Sequence, residues 1–248
     1  LLELSETGNE KMKKDKFVAS VAKALDGINS GATIMVGGFG TAGIPNELLD
    51  GLVEYAQAFD IRDLTIVNNN AGSGEYGLAA LLKTERVSRI ICSYPRQADA
   101  YVFESLYKAG KIKLELVPQG NLAERIRAAG AGIGAFYCPT GYGTLLANLP
   151  DGSPKEHREI NGKHYVLEYP IHADFALIKA YQGDRWGNLT YRKSARNFGP
   201  VMAMAARCTI ASVYHRVELG DLDPESVITP GIFVDRLVCV NEPSHNEP

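Results

Sequence analysis

Gly31-Ala32-Thr33-Ile34-Met35-Val36-Gly37-Gly38-Phe39-Gly40-Thr41-Ala42-Gly43-Ile44-Pro45 carries the chain from a β run into a helix through a glycine-rich turn. Thr33, Ile34, Met35 and Val36 form a short apolar run that stops at Gly37 and Gly38. Pro45 opens the following helix, where its missing N–H costs nothing. Leu48, Leu49, Leu52, Val53 and Ala56 then recur at helical spacing. The same alternation extends outward. Upstream, Phe17, Val18, Val21, Ala22, Leu25 and Ile28 predict a helix over 17–28. Downstream, strands are expected at 64–67, 87–92 and 112–117, and helices at 78–82, 98–109 and 122–129, with Gly110 ending the second of these helices. Short connections between strands and helices predict an α/β fold with an open, mostly parallel sheet and helices on both faces. Ligands sit beyond the carboxyl ends of such strands. Segments 37–43, 68–72, 93–97 and 118–121 should therefore line one rim.

The pattern changes after Gly130. Residues 131–163 are rich in Gly, Pro and polar side chains and read as a long, lid-like loop insertion. Further strands are expected at 165–168, 175–179, 189–191, 209–213 and 234–240, and a helix at 200–207. The organisation predicted is a flexible extension over 1–14 with Met12 as a candidate natural start, one domain over 15–240, and a flexible tail over 241–248. The net charge of −3 gives no general attraction to nucleic acid or an anionic membrane. No apolar run is long enough to span a bilayer, and residues 1–14 lack the apolar segment of a secretory signal. Cys92, Cys138, Cys208 and Cys239 form no C-x-x-C pair and read as reduced thiols of a cytoplasmic protein. The five histidines lack zinc-ligand spacing, so no metal is expected.

Gly38-Phe39-Gly40-Thr41-Ala42-Gly43 matches G-x-G-x-x-G between a strand and a helix. Three readings stand: a dinucleotide fingerprint, a turn with no ligand, or a loop that approaches an anionic or acyl ligand closely. The ribose-binding acid of a dinucleotide site belongs at the end of the second strand. Asn68-Asn69-Asn70 stands there instead, and Asp63 precedes the strand. The loop is not a P-loop, because Ile44 and Pro45 follow Gly43. The three asparagines suit either a turn or ligand contact. In Pro118-Gln119-Gly120-Asn121, Asn121 is a candidate N-cap, and the Gln119 amide is a candidate holder of a carboxylate or thioester oxygen. Arg192, Lys193 and Arg196 form a basic cluster, which is either a solvated face or a docking site for phosphates or a partner chain. Glu75 and Glu168 near strand ends read as surface or salt-bridging groups.

The run from Gly31 to Pro45 resembles the signature of class I coenzyme A (CoA) transferase A subunits. The resemblance continues through Asn69-Asn70-Ala71-Gly72, Pro118-Gln119-Gly120, Leu122-Ala123-Glu124-Arg125-Ile126-Arg127, Pro139-Thr140-Gly141-Tyr142-Gly143-Thr144 and Arg192-Lys193-Ser194-Ala195-Arg196-Asn197-Phe198. Ser30 departs from it, since an acidic or amide residue is usual there. Segments 93–103, 172–175 and 184–188 resemble the branch acting on 3-oxoadipate, with acetoacetate-using relatives as the alternative.

The resemblance implies a ping-pong transfer of CoA from succinyl-CoA to 3-oxoadipate. The nucleophilic glutamate lies on a B subunit, and the two chains form an α2β2 heterotetramer. No cofactor is bound permanently, and the CoA thioester is a substrate. Gly37, Gly38, Phe39, Gly40, Thr41, Ala42 and Gly43 are then expected to hold the thioester. Backbone N–H groups of Gly38, Phe39 and Gly40 would stabilise the oxyanion, and Asn69, Asn70 and Gln119 would position the substrate. Arg96 is the candidate cation for the second acid's far carboxylate, against a surface arginine or one paired with Asp99. A reading of another class is a stand-alone nucleotide- or phosphate-binding α/β protein.

Overall fold

The computed structural model describes residues 15–149 and 151–242. The expected extension over 1–14 and residues 243–248 of the expected tail lie outside them. In chain order the elements begin with α1 (Val21–Ala24), β1 (Thr33–Val36), α2 (Asn46–Ala58), β2 (Leu64–Val67), α3 (Leu78–Lys83) and β3 (Val87–Cys92). There follow α4 (Tyr101–Lys108), β4 (Lys113–Leu116), α5 (Gln119–Gly130), β5 (Phe136–Cys138), β6 (His157–Ile160) and β7 (Lys163–Glu168). The chain closes with β8 (Ala173–Asp184), β9 (Leu189–Thr190), α6 (Gly199–Ala205), β10 (Ala206–Val217) and β11 (Arg236–Cys239).

Alternation along each strand builds two cores from one sheet. Ile34, Ile66, Ile90, Leu177 and Ile210 face α1 to α4, while Met35, Val67, Ile91, Ile178 and Ala211 face α5 and α6. The strands run in the order β11-β10-β8-β1-β2-β3-β4 with parallel pairing throughout, and β9 folds back antiparallel on β8. The expected architecture is therefore present. All seven parallel strands end at the same rim. Each fully buried Leu or Ile contributes about 2 kcal/mol, so these rows hold the rim in register.

Two local expectations give way to tertiary pairing. The first helix is a single turn, capped by Ser20, whose side chain accepts from Lys23 N. Phe17 instead bridges Leu237, and Val18 N donates to Leu237 O at 2.8 Å. The segment before the helix thus satisfies backbone groups of the edge strand β11, which outweighs helical spacing. Asn121 is not an N-cap, because α5 starts at Gln119 and Pro118 precedes it. Asn121 lies buried inside the helix.

The insertion is more ordered than a loop: β5, β7 and β6 form a three-stranded antiparallel sheet. Asn161 and Gly162, at φ 53° and 75°, make the two-residue turn between β6 and β7. A chain of charges centred on buried Glu168 docks this sheet on the main one. Glu168, 3% exposed, receives Lys155 Nζ at 2.9 Å, Asn121 Nδ2 at 3.2 Å and Arg125 Nε at 3.7 Å. Arg125 also donates to Glu115 Oε1 on β4 at 2.9 Å, and Arg89 on β3 pairs with the same carboxylate.

Removing one member of a buried ion network leaves the others uncompensated. Glu168→Ala is expected to lower stability by about 3 kcal/mol in urea unfolding, with the denaturant slope unchanged. Glu124→Ala, which removes an exposed helix-surface pair with Arg127, should change it by less than about 0.5 kcal/mol.

Candidate functional site

Where β1 ends, the chain turns back on itself. Phe39 N donates to Ala42 O at 3.0 Å and Ala42 N donates to Phe39 O at 3.1 Å, closing a two-residue turn at Gly40 and Thr41. Gly37 N remains in the sheet, donating to Leu177 O at 2.9 Å. Glycine is required here for stated reasons. Gly38 sits at φ 117°, and a Cβ on it would come within 2.6 Å of Ile44 Cγ1. Gly43, at φ 72°, lies against the Ala195 backbone.

A relay of amides supports this hairpin. Asn68, the first residue past β2, donates from Nδ2 to Val36 O at 2.6 Å and accepts from Asn70 N at 2.8 Å. Asn70 in turn donates to Gly40 O at 3.3 Å and accepts from Gly72 N at 2.9 Å. Asn69 points to the other face, where Ser93 Oγ donates to its Oδ1 at 2.9 Å.

Between the hairpin and α3 lies a crevice of about 30 Å³, room for one or two ordered waters. Gly40, Thr41, Asn46, Asn68, Asn70 and Gln97 supply its polar wall, and no carboxylate lines it among the described residues. Glu75 stands nearby, but Lys83 Nζ at 2.7 Å and the Tyr101 hydroxyl at 2.8 Å hold its carboxyl below the usual range. It is a salt-bridging group. Burial pushes the Cys92 thiol, at the end of β3, up to about 12, so it is no nucleophile. A dinucleotide site loses its support, since Asn68 occupies the position of the ribose acid and Asp63 precedes β2 at the far rim.

The sequence matches the family described as Coenzyme A transferase over residues 18–240. The chain belongs to the coenzyme A transferase family. It is 66% identical over 227 residues to the A subunit of 3-oxoadipate CoA-transferase from Pseudomonas putida, covering 92% of this chain and 94% of that one. It is 51% identical to the A subunit of succinyl-CoA:3-ketoacid coenzyme A transferase from Xanthomonas campestris pv. campestris, covering 90% of this chain and 88% of that one. In fold it matches the acyl-CoA transferase of Escherichia coli O157:H7 with a TM-score of 0.81 at 24% identity, over 92% of this chain. It spans 47% of that longer chain.

Within this CoA-transferase fold the expected site residues divide. The hairpin and Asn70 meet at the crevice. Phe39 departs from the expected donor set, because its N–H already serves Ala42; Gly38, Gly40 and Thr41 keep N–H groups without a partner among the described residues. Gln119 is exposed at the start of α5, on the same rim but three strands from β1, roughly 14 Å across the sheet. Arg96 lies outside the crevice, 74% exposed, with Nε 3.8 Å from Glu104 and not paired with Asp99. Its neighbour Gln97 lines the crevice instead. The asparagine run is open in sequence to turn or ligand contact, and the structure gives Asn68 the bonds that support the turn; Asn197, assigned no separate role in the sequence, donates from Nδ2 to Ala42 O at 3.0 Å. Strand parity could have identified Asn68, since it shares the face of Ile66 while Asn69 shares that of Val67.

Substitutions in the hairpin should differ sharply. Gly38→Ala meets both a forbidding φ and Ile44, so it is expected to cost at least about 2 kcal/mol. Gly40→Ala meets no atom within 4 Å and bears only the cost of φ 60°, about 1 kcal/mol. Thermal unfolding of the two variants measures the difference. Iodoacetamide at pH 8 should alkylate exposed Cys239 and leave Cys92 unmodified until the chain unfolds, as peptide mass mapping would record.

Proposed function

We propose that this chain is the A subunit of a CoA-transferase that moves CoA from succinyl-CoA to 3-oxoadipate. One observation carries the reading: the crevice offers amides, the hydroxyl residues Thr41, Ser73 and Tyr76 and free backbone N–H groups, but no carboxylate or imidazole among the described residues. Such a surface can bind and polarise a thioester, and it holds no base to activate a hydroxyl for attack. Its small volume also suits one wall of a site that a second chain completes. The 66% identity to the Pseudomonas putida protein supports the acceptor acid.

In this mechanism a glutamate contributed by the B subunit performs the attack on the thioester carbonyl and releases CoA thiolate, forming an acyl anhydride. The thiolate then attacks the glutamyl carbonyl, giving an enzyme thioester and free succinate. The steps reverse with 3-oxoadipate, so one hard transfer becomes several easier ones. Gly38, Gly40 and Thr41 supply N–H groups where the oxyanion develops. Asn70 orients the hairpin, while Asn69, turned to the other face, is held by Ser93 and acts on the substrate only from outside the crevice. Gln119 holds the leaving or entering carboxylate. Arg96, only loosely tied to Glu104, is free to turn toward the far carboxylate of the second acid. The reading includes an α2β2 assembly in the cytoplasm, no permanently bound cofactor, and the CoA thioester as substrate.

The test is reconstitution. The pure chain is expected to show no transfer, and mixing with its B subunit should restore CoA transfer from succinyl-CoA. Faster turnover with acetoacetate than with 3-oxoadipate would reassign the acceptor. Activity of the lone chain would overturn the division of labour. Gln119→Ala should lower kcat in the complex about 10²-fold. NADH binding by the lone chain, read as energy transfer from Trp186, would favour a stand-alone nucleotide-binding protein.

A further inference from the structure

The first turn of α2 meets the crevice from two sides but has no side-chain cap of its own. Asn46 lines the crevice. Its Oδ1 lies 2.8 Å from where a Cβ on Gly77 would stand, so the turn reaches across to the start of α3. Ile44, just before the helix, packs on Gly38, where a Cβ would meet its Cγ1 at 2.6 Å. A shift of this turn would therefore displace both the hairpin and the opposite wall. Yet the N-cap residue is Pro45, which makes no side-chain hydrogen bond to the helix. Asn46 N donates to Ile44 O, and Leu48 N and Leu49 N donate to Pro45 O, all at 3.0 Å. These bonds shape the turn without tying it to the sheet.

The tie comes from the next residue. Glu47 Oε1 accepts from Lys179 Nζ at 2.8 Å, across 132 residues of chain. Lys179 lies on β8 directly after Ile178, the residue against which Gly37 packs. It is 9% exposed, and its ammonium stands 4.8 Å from the Tyr214 ring centroid. A cation held between a carboxylate and an aromatic face has little freedom. The surroundings are not optimised for stability. Among the described residues, Glu47 Oε2 and Ser212 Oγ are the buried side-chain oxygens without a hydrogen-bond partner, and Ser212 is the neighbour of Lys179 in the β8–β10 register. Buried oxygens left unsatisfied are destabilising. A fold that keeps two of them around one cation calls for a reason beyond packing.

We propose that Lys179 is a positioning residue for CoA transfer: through Glu47 it fixes the first turn of α2, and with it the spacing of Gly38, Asn46 and Gly77 around the crevice. The inference rests on the CoA-transferase reading above and deepens it. Lys179 does not line the crevice and acts through its partner. The donors at Gly38, Gly40 and Thr41 stabilise an oxyanion only where their N–H groups meet it at hydrogen-bond length. Asn68 and Asn70 set the hairpin from the β2 side. Lys179 sets its base from the β8 side. A charge-assisted hydrogen bond fixes distance and direction, whereas apolar burial is non-directional. Loss of the pair should therefore be felt in the transition state more than in ground-state binding.

The experiment uses the complex with its B subunit, as wild type, as Lys179→Met and as the Lys179→Met/Glu47→Leu double variant. Steady-state kinetics with succinyl-CoA are compared with thermal unfolding and with amide hydrogen exchange over residues 44–49. Lys179→Met is expected to lower kcat about 10²-fold, with KM changed less than about twofold, and to speed exchange over 44–49. The double variant removes the uncompensated carboxylate, so its unfolding temperature should return toward wild type. Its kcat should stay low. Recovery of kcat together with stability would overturn the proposal in favour of a purely structural pair. A raised KM with kcat unchanged would overturn it in favour of direct substrate contact. Should Lys179→Met fail to fold, the double variant is read alone, and a wild-type kcat there would overturn the proposal. A wild-type complex that transfers CoA to no acid would reject the transferase reading. Exchange over 44–49 then still tests the clamp, and unchanged exchange in the variant would reject the clamp by itself.

Discussion

The rim depends on the carboxamide of Asn68. It is 2% exposed and sits where two parallel strands end together. It donates to the last carbonyl of β1 and accepts the N–H that begins the next turn. A buried carbonyl at a strand end is costly when unpaired, so one side chain satisfies the sheet and starts the loop. Asn70 repeats the arrangement one step further, reaching Gly40 and Gly72. The hairpin is thus hung from the sheet by amides. Its outward N–H groups are left for something other than the protein itself.

Around this relay the molecule assembles its parts from distant stretches of chain. The crevice draws on β1, β2 and the loops before α3 and α4. The strap at 192–198 arrives from beyond β9 to fix Ala42 from behind. The small antiparallel sheet is fastened separately, through Glu168, Arg125 and Glu115, to the edge of the main sheet. These attachments differ in kind. The rim is held by neutral hydrogen bonds close to the core, the insertion by charges whose pairing is expensive to break.

Much of this was legible in the sequence, because the signals were local. Four-residue apolar runs bounded by Gly, Asn or Pro marked β1 and β2 at their observed limits, and parallel pairing followed from the intervening helices. The insertion read as a loop because β6 shows no alternation and is exposed along its whole length, so the Asn161-Gly162 turn had no flanking strand pattern to mark it as a hairpin. The helix expected over 17–28 failed for the opposite reason: its spacing was helical, but Phe17 was needed by β11. At the site, residue types were readable and directions were not. Which N–H groups the hairpin consumes internally, and that Arg96 turns toward Glu104, depend on contacts that no spacing encodes. The contact of 192–198 with the hairpin is likewise invisible without the fold, since about 150 residues of chain separate them.

The pairing of β1 with β8 has a consequence for how the chain reaches this state. Ile34 lies beside Phe175, and Thr33 N donates to Asp174 Oδ2, across 141 residues. During synthesis, β1 through β4 can associate early, but one edge of β1 stays open until β8 emerges. Gly37 cannot be anchored to Leu177, nor Ala42 to Asn197, before that point. The hairpin is therefore among the last of these features to take shape, although its sequence is translated before that of β8. Long-range parallel pairing of this kind folds slowly and exposes strand edges in the interim. Prematurely terminated chains would then be sticky before they could be competent to bind anything.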